Sequence, residues 1–281
     1  MPGTAKAPEA LREAGLHRRM AQLGTIDAGV VLPGRYVDDD GTRAPGQVRN
    51  QSAVIDHARR LARRLVDLRA AGHLPVVIGG DCSLLIAAGL ALSGGPGTGL
   101  VHVDGHTDFR HPGNSTDYGA LAGEDLAAAV GRHLPAVADI DGQGPYFDPR
   151  RTVHIGCRDS DQHLHEARTV LGDVITASDV LATGGTAAAQ RARSSPGLDD
   201  GYWVQVDVDV LDPTHMPAVD SPDAGGLAPQ HLVDLLQGLL PWARGVSVTV
   251  FDPDLDPDGH HAATLVTVLE ATLPHLGSRL H

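Results

Sequence analysis

Two apolar stretches that end in acidic residues decide the fold: GLVHVDGHTD at positions 99–108 and YWVQVDVDVLDP at positions 202–213. Both stretches are almost continuously apolar before the acidic residues, which is typical of strands covered by helices on both faces. Similar runs recur along the chain. Strands are predicted at residues 27–32, 75–79, 99–104, 151–156, 202–208 and 245–251.

Helical patterns separate these runs. In the first of them Val54, Leu61 and Leu65 lie at helical spacing, with arginines on the other face. Helices are predicted at residues 52–71, 83–91, 123–131, 161–171, 178–192, 229–240 and 262–274. Alternation of strands and helices predicts an α/β fold with a mostly parallel central sheet between two helix layers. Because no linker-like segment divides the chain, we expect one domain over residues 1–281.

Composition excludes several classes of protein. The chain carries 22 Lys and Arg against 35 Asp and Glu, a net charge of −13, which argues against a general nucleic-acid binder. Its two cysteines, Cys82 and Cys157, do not make a disulfide scaffold and suit a reducing compartment. The first residues lack the apolar core of a signal peptide, and no stretch approaches about 18 uninterrupted apolar residues. We therefore expect a cytoplasmic protein with no membrane and no nucleic-acid partner.

The acidic residues after the two strands indicate a metal centre. Asp104, His106 and Asp108 are spaced i, i+2, i+4, so an extended backbone points them in the same direction, and Asp207 and Asp209 repeat this spacing. Parallel strands end at one edge of the sheet. Four carboxylates and an imidazole at one edge cannot all stay ionised without cations between them. Two divalent ions bridged by carboxylates are the usual solution.

A structural interpretation competes with this one. A single aspartate at a strand end is usually a turn residue or a helix cap, and this stays open for Asp81, Asp161 and Asp212. It fails for the two clusters together, because no capping scheme uses five such residues.

Three segments resemble signatures of the arginase (ureohydrolase) family, namely Gly-Gly-Asp-His-Ser, Asp-Ala-His-x-Asp and Asp-x-Asp-x-x-Asp-Pro. Here they read GGDCS at 79–83, DGHTD at 104–108 and DVDVLDP at 207–213, and RDSD at 158–161 is similar to the family's Arg-Asp-x-Asp. The resemblance covers residues 79–253. It implies a three-layer α/β/α sandwich, two manganese ions and hydrolysis of a guanidino group to urea and an amine.

The resemblance also implies a role for each matching residue. Asp104 and Asp207 would bridge both metals, with Cys82 and Asp108 completing the first and His106 and Asp209 the second. Asp108 would also be catalytic, passing a proton to the departing amine. Asp161 would bind the α-amino group of the substrate.

Cys82 departs from the family, which has a ligand histidine there. It is either a small buried filler or a thiolate ligand, and we favour the ligand because a metal deprotonates an adjacent thiol. Four aspartates and a thiolate carry −5 against +4 from two divalent ions. The extra anion should hold the first metal tightly and make the bridging water less acidic. Manganese is the first choice because carboxylates dominate, with Zn²⁺ and Fe²⁺ as alternatives.

Two further departures concern the substrate. Ala122 stands where arginases carry a proton-shuttle histidine, for which His111 is either a substitute or an ordinary loop residue. Val250 stands where a glutamate binds the guanidinium group. Asp252, the nearest acid, either takes over this role or caps the following turn.

These losses favour a guanidine that is neutral near pH 7. The chain resembles the hydroxyarginine-hydrolysing members of the family that serve D-cycloserine biosynthesis. We therefore expect a metal-bridging hydroxide to attack the guanidino carbon of Nω-hydroxy-L-arginine, giving hydroxyurea and L-ornithine. L-Arginine, agmatine or another guanidino compound are alternatives, with Asp161 favouring an α-amino acid.

Two expectations concern the protein as a whole. A non-catalytic metal-binding relative is the alternative from a different class, and retention of both acidic clusters speaks against it. A monomer is expected, and a homo-oligomer stays an alternative.

Overall fold

The computed structural model describes residues 3–93 and 97–280. In these ranges six parallel strands form one sheet in the order β1-β6-β5-β2-β3-β4. The strands are β1 (Val76–Ile78), β2 (Gly99–Val103), β3 (Thr152–Ile155), β4 (Asp173–Ile175), β5 (Tyr202–Asp207) and β6 (Ala243–Thr249). The two strands that carry the acidic clusters, β2 and β5, are therefore neighbours in the middle of the sheet.

The helices cover both faces of this sheet. They are α1 (Ala7–Glu13), α2 (Leu16–Gln22), α3 (Gln51–Ala70), α4 (Leu84–Leu92), α5 (Asp125–Ala129), α6 (Pro135–Ala138), α7 (Leu164–Val170), α8 (Ala177–Thr183), α9 (Gly185–Arg193), α10 (Pro229–Leu239) and α11 (His260–Thr272). None of the helices in the described ranges has the length and apolar character needed to cross a bilayer.

Alternating side chains of the strands pack into two separate hydrophobic cores. Val101 and Val204 face the core formed with α1, α2 and α8–α11. Leu100 and Trp203, one residue earlier on each strand, face the core formed with α3–α7. Strands covered on both faces must be apolar throughout, which explains the sequence of β2 and β5. The predicted three-layer α/β/α architecture is confirmed.

The predicted strand at residues 27–32 is wrong. This segment has no strand pairing, and Val30 and Leu32 are 64% and 71% exposed. Two arginines of α3 hold its carbonyl groups: Arg64 Nη2 donates to Ala28 O (2.6 Å) and Arg60 Nη1 to Leu32 O (2.8 Å). The segment therefore runs over α3, because its backbone acceptors are satisfied there rather than by a neighbouring strand.

Several other elements, among them α6, also differ from the prediction. The helix predicted at 178–192 is two helices, α8 and α9, separated at Gly184, whose φ of 88° does not continue a helix. The short strand β4 and the N-terminal helices α1 and α2 were not predicted. In the N-terminal pair, Leu11 and Leu16 are buried on either side of the break at Gly15.

Candidate metal centre

The ends of β2 and β5 bring the two acidic clusters together. Val103 pairs with Val206, so Asp104, which directly follows β2, and Asp207, the last residue of β5, lie side by side. Each aspartate then accepts a hydrogen bond from the backbone two residues later: Asp104 Oδ1 from His106 N (2.7 Å) and Asp207 Oδ1 from Asp209 N (2.7 Å). The same Asx turn thus follows both strands, and it directs both clusters to the same edge of the sheet.

The two turns also bind one another. Asp209 Oδ1 accepts from Gly105 N (3.0 Å), and Asp209 Oδ2 lies 2.9 Å from His106 Nδ1. A Cβ atom on Gly105 would lie 2.7 Å from the backbone oxygen of Asp209, so the close approach of the turns favours glycine here. His106 Nε2 lies 3.2 Å from Asp223 Oδ2. Carboxylates therefore face both ring nitrogens of His106.

Cys82 and Asp108 reach the centre from other loops. Cys82 follows β1 and is fully buried, and its Sγ donates to Asp207 Oδ2 (2.8 Å). Asp108 has a left-handed φ of 47°, and its backbone oxygen accepts from Ala127 N (3.1 Å) in α5. This uncommon conformation turns the chain back after the cluster on β2, and α5 holds it in place.

All six predicted ligands lie in overlapping groups whose ligand atoms are within 4.8 Å of one another. The groups are Cys82–Asp104–Asp207, Asp104–His106–Asp209, Cys82–Asp108–Asp125 and His102–Asp104–Asp108. The structure therefore adds two residues that the sequence did not single out, His102 and Asp125. His102 precedes Asp104 by two residues on β2, so the period of a strand was a signal for it.

Burial and mutual repulsion dominate the electrostatics of the carboxylates. Burial, followed by the charges of neighbouring aspartates, raises the pKa of Asp104, Asp108 and Asp207 well above the ordinary range. Burial and the charge of Asp207 likewise raise the pKa of Cys82, which is a thiol while no cation is bound. The hydrogen bond with Asp209 raises the pKa of His106 to about 9 against the opposing effect of burial.

The donor set fits divalent metal ions. In the described part of the chain, Asp104 Oδ2 is buried without a hydrogen-bond partner, which is costly unless a cation or proton compensates its charge. Carboxylate oxygens with an imidazole and a sulfur are ligands of manganese, zinc and iron. The residues present therefore fit the divalent metal ions that the sequence predicts.

Comparison with known proteins agrees with this geometry. The Arginase family model matches residues 1–273. The chain belongs to the arginase family. It is 28% identical over 235 residues to the arginase of Brevibacillus brevis, an alignment that covers 80% of this chain and 76% of that protein.

Solved structures extend the comparison. The crystal structure of Bacillus subtilis arginase matches with a TM-score of 0.84 at 23% identity, covering 97% of this chain and 93% of that one, and supports the fold. Proclavaminate amidino hydrolase from Streptomyces clavuligerus matches with a TM-score of 0.71 at 25% identity, covering 100% and 87%.

Family membership identifies the chain as an amidinohydrolase, an enzyme class that hydrolyses amidino C–N bonds, and enzymes of this family use a binuclear metal site. The prediction of a hydrolase of the arginase family is confirmed.

Asp161 lies against the turn that carries His106 and Asp108. Its Oδ2 accepts from Thr107 N (2.8 Å), and its Oδ1 accepts from Thr107 Oγ1 (2.7 Å) and His163 N (2.8 Å). The carboxylate is half-buried. This arginase-family chain therefore ties the proposed amino-binding residue directly to the metal turn.

Arg158 is a structural residue of the site that the sequence did not assign. It is buried, and its Nη2 donates to the backbone oxygens of Asp209 (3.0 Å) and Asp223 (2.6 Å). Its backbone N–H donates to Gly105 O (3.1 Å). Arg158 thus connects both metal turns to the loop that carries Asp223. Its place in the RDSD segment was the only sequence signal.

The structure gives His111 and Asp252 hydrogen-bond partners other than the metal ligands, and it places Val250 in the apolar core. His111 Nε2 lies 3.1 Å from Glu166 Oε1, and its Nδ1 accepts from Gly113 N (3.0 Å). Asp252 Oδ1 accepts from Asp254 N (2.9 Å), so it caps the turn at Pro253–Leu255. Val250 is buried and has a φ of 72°, an outlier for a β-branched residue.

Proposed function

We propose that this amidinohydrolase binds two Mn²⁺ ions and hydrolyses Nω-hydroxy-L-arginine to hydroxyurea and L-ornithine. The observation that carries the substrate is Val250, a buried aliphatic side chain where arginases have the glutamate that binds a guanidinium ion. Zinc or iron would serve the same centre less well, because oxygen ligands outnumber the single sulfur.

Loss of this glutamate removes the negative charge that neutralises a cationic guanidinium group. Asp252, the nearest acid on this stretch, accepts a hydrogen bond from Asp254 N as a turn cap. An uncompensated guanidinium ion against a buried valine would be costly. An N-hydroxyguanidine is several pKa units less basic than guanidine, so it can be bound as the neutral molecule.

We assign Asp161 as the residue that binds the α-amino group of the substrate. Its two oxygens accept three hydrogen bonds from Thr107 and His163, and they have lone pairs left for a further donor. An α-ammonium group would provide such a donor together with a positive charge. The tie to Thr107 fixes the distance between this anchor and the metal turn, which favours a substrate of defined length.

We assign six residues as ligands: Asp104 and Asp207 would be shared by the two ions, Cys82 and Asp108 would hold the first ion, and His106 and Asp209 would hold the second. When bound, the ions would supply an acidified water nucleophile and stabilise the charge that develops on the oxygen and nitrogen atoms attached to the guanidino carbon. Asp108 is also the catalytic acid, because its carboxyl can carry a proton from the attacking water to the leaving ornithine amine. His106 must lose its own proton before it can act as a ligand.

The experiment is a side-by-side measurement of ornithine release from Nω-hydroxy-L-arginine and L-arginine by manganese-loaded enzyme. We expect kcat/KM for the hydroxylated substrate to exceed that for arginine at least tenfold at pH 7. Equal or faster turnover of arginine would show that another group binds the guanidinium ion, and the enzyme would then be an arginase. The Nω-hydroxy-L-arginine analogue that lacks the α-amino group serves as the control for Asp161.

A further inference from the structure

Asp125 is held rigidly beside the metal centre by its neighbours. Glu124, the preceding residue, is fully buried and accepts from Gly119 N, Arg110 Nε and His133 Nε2 at 2.8–3.0 Å. Two residues after Asp125, Ala127 N donates to the backbone oxygen of Asp108 (3.1 Å). These bonds fix the backbone on both sides of Asp125 beside the centre.

Both carboxylate oxygens of Asp125 are buried, and neither has a hydrogen-bond partner in the described part of the chain. Buried carboxylates normally accept several hydrogen bonds or bind a cation. The missing partner of Asp125 therefore requires an explanation of its own.

The surroundings of Asp125 point to a cation. Its carboxylate forms a group with Cys82 Sγ and the carboxylate of Asp108, all within 4.8 Å of one another. His102, which is also fully buried, places its unpartnered Nε2 3.7 Å from Asp125 Oδ2 and 3.7 Å from Asp104 Oδ2. Unpartnered nitrogen and oxygen atoms thus face the same small volume from different elements, as ligands of one centre do.

The residue at position 82 gives a reason for an added ligand. Cys82 has a shorter side chain than the histidine of the family signature, and the carboxylate of Asp125 lies within 4.8 Å of its sulfur. We propose that Asp125 is a direct ligand of a divalent cation at this centre, beside Cys82 and Asp108. This inference rests on the metal centre proposed above and adds a residue to its ligand set.

One simpler alternative is a proton shared between the carboxyl groups of Asp125 and Asp108. Asp125→Asn separates the two possibilities, because the amide can still donate a hydrogen bond to Asp108 but is a far weaker ligand. Asp81→Asn is the matched control. Asp81 lies next to Cys82 in the chain and its Oδ1 accepts from Ser83 N (3.0 Å), so the control removes an equal charge close to the centre.

The measurement is bound manganese per chain after dialysis, together with the electron paramagnetic resonance spectrum of a manganese titration. We expect Asp125→Asn to hold one ion fewer than the native chain, with a dissociation constant raised about 100-fold or more for that ion. Asp81→Asn should match the native chain. If Asp125→Asn keeps the native content and spectrum, Asp125 is not a ligand.

A crystal structure of the manganese-loaded native enzyme tests the inference without any variant. An oxygen of Asp125 should lie about 2.0–2.2 Å from an ion, and a position beyond hydrogen-bond distance would overturn the inference. If the native chain holds metal and hydrolyses guanidines, and Asp125→Asn holds the same amount of metal, only this inference is refuted. If the native chain holds no metal, the proposed function is refuted as well.

Discussion

Asp207→Asn should change stability in opposite directions with and without metal. Asp207 Oδ1 accepts from Asp209 N and Oδ2 accepts from Cys82 Sγ. Asparagine has nearly the same shape and keeps the first bond, so the main change is the loss of a buried charge. In the native chain, burial and the charges of Asp209 and Asp104 raise the pKa of Asp207 well above its ordinary value.

The sign follows from this raised pKa. A carboxyl group whose pKa is higher in the folded than in the unfolded chain binds more protons when folded, so the metal-free chain loses stability as pH rises. The magnitude follows from the general cost of a buried polar group that lacks a compensating partner, about 1–3 kcal/mol. At pH 8 we expect metal-free Asp207→Asn to be more stable than the native chain by an amount in this range. At about 2–4 °C per kcal/mol, Tm should rise by about 2–12 °C.

Metal should reverse this order. Two ions, each at 100 times its dissociation constant, stabilise the native chain by about 2.7 kcal/mol apiece, or about 11–22 °C in Tm together, whereas the variant should gain little. Differential scanning calorimetry of both chains, after chelation and with Mn²⁺, measures all four values. Asp258→Asn, an exposed carboxylate, is the control. A lower Tm of metal-free Asp207→Asn, or an undiminished gain with Mn²⁺, would refute the reasoning.

Three further predictions test other parts of the site. Asp161→Asn should raise KM for Nω-hydroxy-L-arginine by about 10–100-fold. It should hardly change the kinetics with the analogue that lacks the α-amino group. Equal effects on both substrates would show that Asp161 only holds the Thr107 turn and does not bind the amino group. Manganese affinity should rise with pH up to about 9, because the pKa of His106 is raised to about 9 and its proton must leave before it binds metal. Calorimetric titrations in two buffers should show the released proton. A manganese affinity that does not change with pH would contradict this role of His106. Cys82→Ser should abolish the sulfur-to-metal charge-transfer band of the Co²⁺-substituted enzyme, and a native enzyme without this band would leave Cys82 a buried thiol.

The parts of the site that follow the period of a strand could be predicted. Asp104 and His106 directly follow β2, Asp207 ends β5 and Asp209 follows it, and the register of β2 with β5 then brings the two pairs together. The remaining contacts depend on loops that are distant in the chain. Asp125, for example, lies 43 positions from Cys82 in the sequence, and only the packing of α5 against the Asp108 turn brings the two together.

Sequence patterns failed where local composition and tertiary contacts disagree. The apolar residues at 27–32 have the composition of a strand, but Arg60 and Arg64 hold this segment over α3. Gly184 has a helical neighbourhood, yet its φ of 88° ends α8. Arg158 looked like part of a short motif, and its hydrogen bonds to backbone oxygens on separate loops could be seen only in the folded chain.

The most direct test is to strip the native enzyme of metal and return Mn²⁺ in known equivalents, with bound metal and release of ornithine from Nω-hydroxy-L-arginine measured on the same samples. If the clusters after β2 and β5 form a dinuclear catalytic centre, activity should be absent without metal and reach its maximum as the second ion binds. Full activity in the stripped enzyme, or full activity with a single ion, would contradict it.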